Sequence, residues 1–135
     1  MITAIDTTVL LDVFGADPSF GERSREAVRA CLSEGALIAC EVVWAEVSAC
    51  FPSASAAEGA LRRLRVDLSP VDAPTALAAG AAFGEYHRAG GSRERVVGGF
   101  MVGAHAQAHA DRLLTRDRGF YRRFFPGLTI VDPAA

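Results

Sequence analysis

Asp6 closes a short apolar run, Ile2–Ile5, and is followed by two small hydroxyl residues, Thr7 and Thr8. An apolar run that delivers an acid at its end is a poor way to build a core. It is a good way to hold a carboxylate at the rim of a sheet, where a hard cation takes oxygen ligands. Capping of a following helix by Asp6 or Thr7 is the alternative. Asp117 repeats the arrangement just past Arg112–Leu114, within LLTRDRGFYRRFFP (residues 113–126), and the same alternative applies. Two parallel strands that each end in aspartate would bring both acids to one edge, which capping alone does not explain. Glu46, in VVWAEVSAC (residues 42–50), shares a helical face with Val42, Val43 and Cys50. A carboxylate projecting from a largely apolar stripe needs a partner, and a metal ion is one. A partly exposed glutamate at the helix edge is the competing reading.

The elements that must position these acids alternate along the chain. Strands are expected at Ile2–Asp6, Leu37–Cys40, Val66–Leu68, Arg112–Leu114 and Leu128–Val131. Helices are expected at Thr8–Phe14, Phe20–Ser33, Val42–Cys50, Ala54–Leu64, Pro74–Ala89, Gly99–Ala108 and Gly119–Phe125. Strands alternating with helices imply parallel crossovers, hence an α/β sheet covered on both faces. Ligands of such sheets bind beyond the carboxyl ends of the strands, at the topological switch point. Asp6 and Asp117 both lie there.

The chain has 135 residues, the size of one domain spanning 1–135, and half of them are hydrophobic, enough for a core without disulfides or structural metal. No stretch approaches the ~18 uninterrupted apolar residues of a membrane span. The start, Met1–Asp6, lacks the basic region of a secretory signal, so a cytoplasmic protein without membrane association is expected. Cys31, Cys40 and Cys50, odd in number and without CxxC spacing, read as small buried hydrophobes. The net charge of −2 argues against a broad nucleic-acid binder, but its distribution is uneven. From Arg88 to Arg123, eight arginines face three acids, a local +5; the remaining six arginines face thirteen acids, or −7. All the basic residues are arginine, the side chain that grips phosphate in bidentate fashion. A GC-rich coding sequence would give the same bias. Arg116 and Arg118, beside Asp117, are the candidate RNA contacts, with a solvated face as the alternative.

Three blocks, AIDTTVLLD (4–12), VWAEV (43–47) and LLTRDRGFYRRFFPGLTIV (113–131), in this order and at these separations, resemble PIN-domain nucleases of the VapC class, the toxins of VapBC toxin–antitoxin pairs. The resemblance covers essentially the whole chain. It implies a PIN-like three-layer α/β/α sandwich with a mostly parallel sheet of four to five strands. It implies a metal-dependent endoribonuclease in which Asp6, Glu46 and Asp117 hold Mg2+ or Mn2+, with Thr8 supporting the first acid. A VapB-type antitoxin, an RNA substrate and a homodimer follow as implied partners. A groove between the N-terminal helices, near Phe14 and Phe20, would take an amphipathic antitoxin segment.

One family acid is missing. In RVVGGFMVGAHAQAHA (residues 95–110) the matching position is Gly99, expected to open a helix. Glycine costs only a few tenths of a kcal/mol against aspartate at an N-cap, so the fold survives while a ligand is lost. Glu94, Asp12 and Asp111 are poorly placed to replace it. The implied nuclease is therefore expected to be impaired, and a catalytically weak module that chiefly binds antitoxin and RNA is the alternative. His105 and His109 have the i,i+4 spacing of zinc ligands but lack the glutamate of HExxH, and read as structural. A haloacid-dehalogenase-type phosphatase also begins with an acid after its first strand. It needs a second aspartate where this chain has Thr8, and a lysine that the chain does not contain.

Overall fold

The computed structural model describes residues 1–92 and 97–134. In chain order it contains β1 (Ile2–Ile5), α1 (Thr7–Phe14), α2 (Gly21–Glu34), β2 (Ala36–Ala39), α3 (Glu41–Ser48), α4 (Ala54–Arg63), β3 (Val66–Leu68), α5 (Ala73–Arg88), α6 (Gly98–His109), β4 (Arg112–Leu114), α7 (Arg118–Phe124) and β5 (Ile130–Val131). Each element read from the sequence is present, its ends shifted by at most two residues.

The five strands form one parallel sheet in the order β3-β2-β1-β4-β5. The central strand, β1, has three of its four residues buried, as expected for a strand covered on both faces. The chain winds outward from β1 through β2 to β3, then returns to place β4 on the other side of β1. That reversal sets the switch point between β1 and β4, where Ile5 stands opposite Leu114. With the right-handed crossovers that parallel strands take, α1–α4 cover one face and α5–α7 the other, a three-layer α/β/α sandwich. Side-chain alternation agrees. Thr3 and Arg112 are register partners, and Arg112 donates to Thr3 Oγ1 while reaching Glu34 and Cys31 on α2.

The core gathers Ile5, Leu10, Val28, Leu37, Leu61, Leu113 and Leu114, each at most 1% exposed. On the α5–α7 face the rings of Phe83, Phe100 and Phe120 form a chain with centroids 5.0 Å apart at each step. Gly103 permits a close approach there, since a Cβ would stand 2.4 Å from the Phe125 ring. Helix starts carry their own signals. Asp6 caps α1, Ser53 caps α4, and Asp72, with Pro74 in the first turn, caps α5. Among the described residues no helix is long and apolar enough to cross a membrane.

Candidate active site

The end of β1 delivers Asp6 to the switch point, where its side chain is 8% exposed. Its Oδ1 accepts from the Thr7 backbone N–H at 2.8 Å, so it does cap α1. Its Oδ2 accepts from the Thr115 hydroxyl at 2.7 Å and the Tyr121 hydroxyl at 3.3 Å. A carboxylate has about four lone-pair sites, and these three bonds leave one on Oδ1. Burial pushes the Asp6 carboxyl above its ordinary range. The bonds from Thr115, Thr7 and Tyr121 pull it down, and the nearby charge of Asp117 pushes it up again.

Asp117 follows β4, the strand paired with β1, and occupies the cap position of α7 without making a side-chain cap bond. Thr115 links the two aspartates. Fully buried, it donates to Asp6 Oδ2 while its Oγ1 accepts from the Asp117 N–H at 3.0 Å. Glu46, on the helix that follows β2, joins through Thr7, whose hydroxyl donates to Glu46 Oε1 at 2.7 Å. Asp6, Asp117 and Glu46 thus all follow neighbouring parallel strands at their carboxyl ends.

Residues 3–125 match the model of the PIN domain family. The chain belongs to the PIN-domain family. No curated protein sequence matches it. Among solved structures, it superposes on a chain of VapBC2 from Rickettsia felis bound to a DNA fragment from their promoter, with TM-score 0.75, 16% identity and 98% of each chain covered. VapBC-1 from nontypeable Haemophilus influenzae gives TM-score 0.75, 18% identity and 100% of both chains. A toxin–antitoxin complex from Klebsiella pneumoniae gives 0.70, 21% and 97% of both. At these identities the likeness is one of fold.

In this PIN domain the three acids offer only oxygen, the donor chemistry of a hard divalent cation. The buried carboxylate of Asp6 also needs a cationic partner in its ionised form. Among the described residues, however, no three His, Cys, Asp or Glu side chains are grouped to hold a metal ion. The set fits such an ion in kind and falls short in number. Gly99 lies one residue inside α6, whose cap is Val97, and the first turn of that helix carries no acid. The helix therefore starts earlier than expected at Gly99, in its first turn rather than at its cap, where aspartate remains favourable through the helix dipole.

Several residues sit differently from expectation. Glu46 is exposed, because α3 buries Val43 and Val47 and turns the glutamate toward the site. Thr8 is also exposed; the hydroxyls touching the acids belong to Thr7, Thr115 and Tyr121. A threonine immediately after one acid and another two before Asp117 were the available signals. Arg116 turns away from solvent, its guanidinium bound to Asp12 at 2.7 and 3.0 Å. Arg118 is half exposed, with Asp132 at 3.5 Å. Asp12 is thereby occupied, Asp111 accepts from the Ile2 N–H at the opposite end of the sheet, and Glu94 lies outside the described residues. His105 is 1% exposed with Ser69 Oγ at 2.9 Å, and His109 meets Asp72 at 3.3 Å, both structural contacts. Cys31 and Cys40 are buried but Cys50, beyond the end of α3, is exposed.

Among the described residues, the cavity beside the N-terminal helices is polar rather than apolar. The Phe14 ring meets Phe51 edge-on, Phe20 lies 4.1 Å from the Arg116 guanidinium carbon, and the neighbouring cavity is lined by Asp17, Ser19, Glu22 and Arg23. A more apolar groove of about 510 Å3 runs between α3 and α4, walled by Trp44, Ala45, Ala57 and Leu61. The Trp44 Nε1 is buried beneath the surface without an acceptor.

Proposed function

We propose that this chain, one domain over residues 1–135, is a VapC-type toxin: a metal-dependent endoribonuclease of the cytoplasm, controlled by a VapB-type antitoxin. The observation that carries the reading is the Thr115 bridge, which ties Asp6 to the Asp117 backbone at the switch point. Asp6, Glu46 and Asp117 are the residues that would hold Mg2+ or Mn2+. When bound, such an ion activates water and offsets charge building on the scissile phosphate. The chain's own groups do the rest. Thr115 and Tyr121 fix the Asp6 carboxylate, Thr7 fixes Glu46, and Arg118, half exposed and only loosely paired with Asp132 at 3.5 Å, stands next to Asp117, where an RNA phosphate would be drawn.

The side-chain-free position at Gly99 makes this form weak. An antitoxin segment takes the apolar α3–α4 groove, and two copies associate as a homodimer. The second reading, a module that chiefly binds antitoxin and RNA, is favoured by the lack of a three-acid cluster among the described residues.

The deciding experiment compares RNA cleavage by the parent and Gly99→Asp in Mg2+ or Mn2+. Loss of outer-shell groups alone commonly costs about 10–100-fold, so the variant should gain at least that. Adding Asp6→Asn to Gly99→Asp should abolish the gain. Equal rates in parent and variant would show that Gly99 is not a ligand position, and an inactive variant would favour the binding module.

A further inference from the structure

We infer that Arg116 is a positioning residue for the acid site rather than a phosphate contact, with Asp12 as its anchor; this rests on the nuclease reading above. Asp12 lies near the end of α1 and is 4% exposed. Arg116 Nε donates to its Oδ2 at 2.7 Å and Nη2 donates to its Oδ1 at 3.0 Å, the planar fork of a bidentate pair. The Ser24 hydroxyl adds a third bond to Oδ2 at 2.8 Å. Phe20 closes one side of the guanidinium, its ring centroid 4.1 Å from the central carbon.

To reach a phosphate, Arg116 would have to leave a buried carboxylate without its cation, which proteins tolerate poorly. The pair also cancels its own charge, so little positive potential is left for RNA. The more informative feature is where the pair sits in the chain. Thr115 binds Asp6, at the start of α1; Arg116 binds Asp12, six residues later on the same helix. At 1.5 Å per residue these anchors are about 9 Å apart. The segment leaving β4 is therefore fastened to one helix at two points, and Asp117 is the next residue along. The backbone pairing of β4 with β5 already holds the segment as far as Thr115, and the Arg116–Asp12 pair adds a side-chain fastening one residue further, directly before Asp117. Arg116 thus sets where Asp117 stands relative to Asp6.

The test uses the full chain with Arg116→Lys, which keeps the charge and loses the fork, and Asp12→Leu/Arg116→Met, which removes both charges. Three readouts are taken. The amide exchange of Asp117 should quicken about 10-fold or more in Arg116→Lys, while the amides of Val9 and Leu10 stay unchanged. In the Gly99→Asp background, Arg116→Lys should weaken Mn2+ binding about 10-fold or more. Binding of a single-stranded RNA oligonucleotide in EDTA should keep its salt slope in the double variant, whereas losing one phosphate contact would reduce it by about 0.7. Unchanged Asp117 exchange in Arg116→Lys, or a slope reduced by that amount, overturns the inference. If Gly99→Asp binds no Mn2+, the nuclease reading fails, while the Asp117 amide still decides this one. Should the double variant not fold, the lysine variant decides it alone.

Discussion

Thr115→Val removes a single hydroxyl from a fully buried side chain and cuts both of its bonds. The bond to the Asp6 carboxylate is one to a charged group, with a loss of about 1.5–3 kcal/mol. The Asp117 N–H loses its acceptor in a part-buried loop, which adds about 1 kcal/mol. Together these come to about 2.5–4 kcal/mol, a large share of the stability of a small domain. For a chain of this length each kcal/mol moves Tm by about 3–5 °C, so Tm should fall by about 8–20 °C at pH 7 in EDTA. Thr115→Ser keeps the hydroxyl and loses one methyl group, a cost of about 1 kcal/mol. The assay is thermal unfolding of parent, Val and Ser variants, repeated in an Asp6→Asn background. There the cost of Thr115→Val should shrink by about 1 kcal/mol, because its partner is no longer charged. A valine variant melting within about 2 °C of the parent, or a serine variant falling as far as valine, would refute the bridge.

Other consequences follow from the same geometry. Burial holds the His105 imidazole below its ordinary pKa of 6.5, with His109 pushing the same way and Ser69, Glu41 and Asp72 opposing. The unfolded chain therefore takes up a proton that the folded one does not, so this contribution is complete above the unfolded value and is lost as pH falls below it. His105→Gln should lose less Tm between about pH 7.5 and 5 than the parent; equal losses would contradict the assignment. Gly103→Ala should destabilise by about 1–3 kcal/mol through overpacking against Phe125, despite the better helix propensity of alanine. A neutral or stabilised variant would show that the ring yields. A thiol reagent should modify Cys50 quickly in the folded protein and reach Cys31 and Cys40 only on unfolding, read by mass spectrometry.

The sheet was legible because its strands are short apolar runs bounded by turns, and the α/β alternation fixes their direction. Asp6 and Asp117 were legible for the same reason: each directly follows a strand, so the topology alone sends both to one edge. What the sequence left open depends on side-chain direction near element ends. Glu46 shares a helical face with Val42, Val43 and Cys50, yet of these only Val43 is buried, and Cys50 lies exposed beyond the end of α3, so the glutamate stands at the edge of the buried stripe. Arg116 looked like a phosphate grip because its neighbours are basic, while its partner Asp12 lies 104 residues earlier and carries no local signal. The roles of Thr7 and Thr115 are likewise set by contacts across 39 and 109 residues. Gly99 was located by motif, but its place inside the first turn of α6 depends on where the helix starts.

Asp6, Glu46 and Asp117 are proposed to form a divalent-metal site that lacks one donor at Gly99. Direct titration of Mn2+ into metal-free parent and Gly99→Asp, followed by the loss of the free-ion electron paramagnetic resonance signal, tests it without requiring a substrate. Gly99→Asp should bind Mn2+ at least about 10-fold more tightly than the parent, and adding Asp6→Asn should abolish that gain. Equal Mn2+ affinity in the two proteins, or binding that survives Asp6→Asn unchanged, would contradict it.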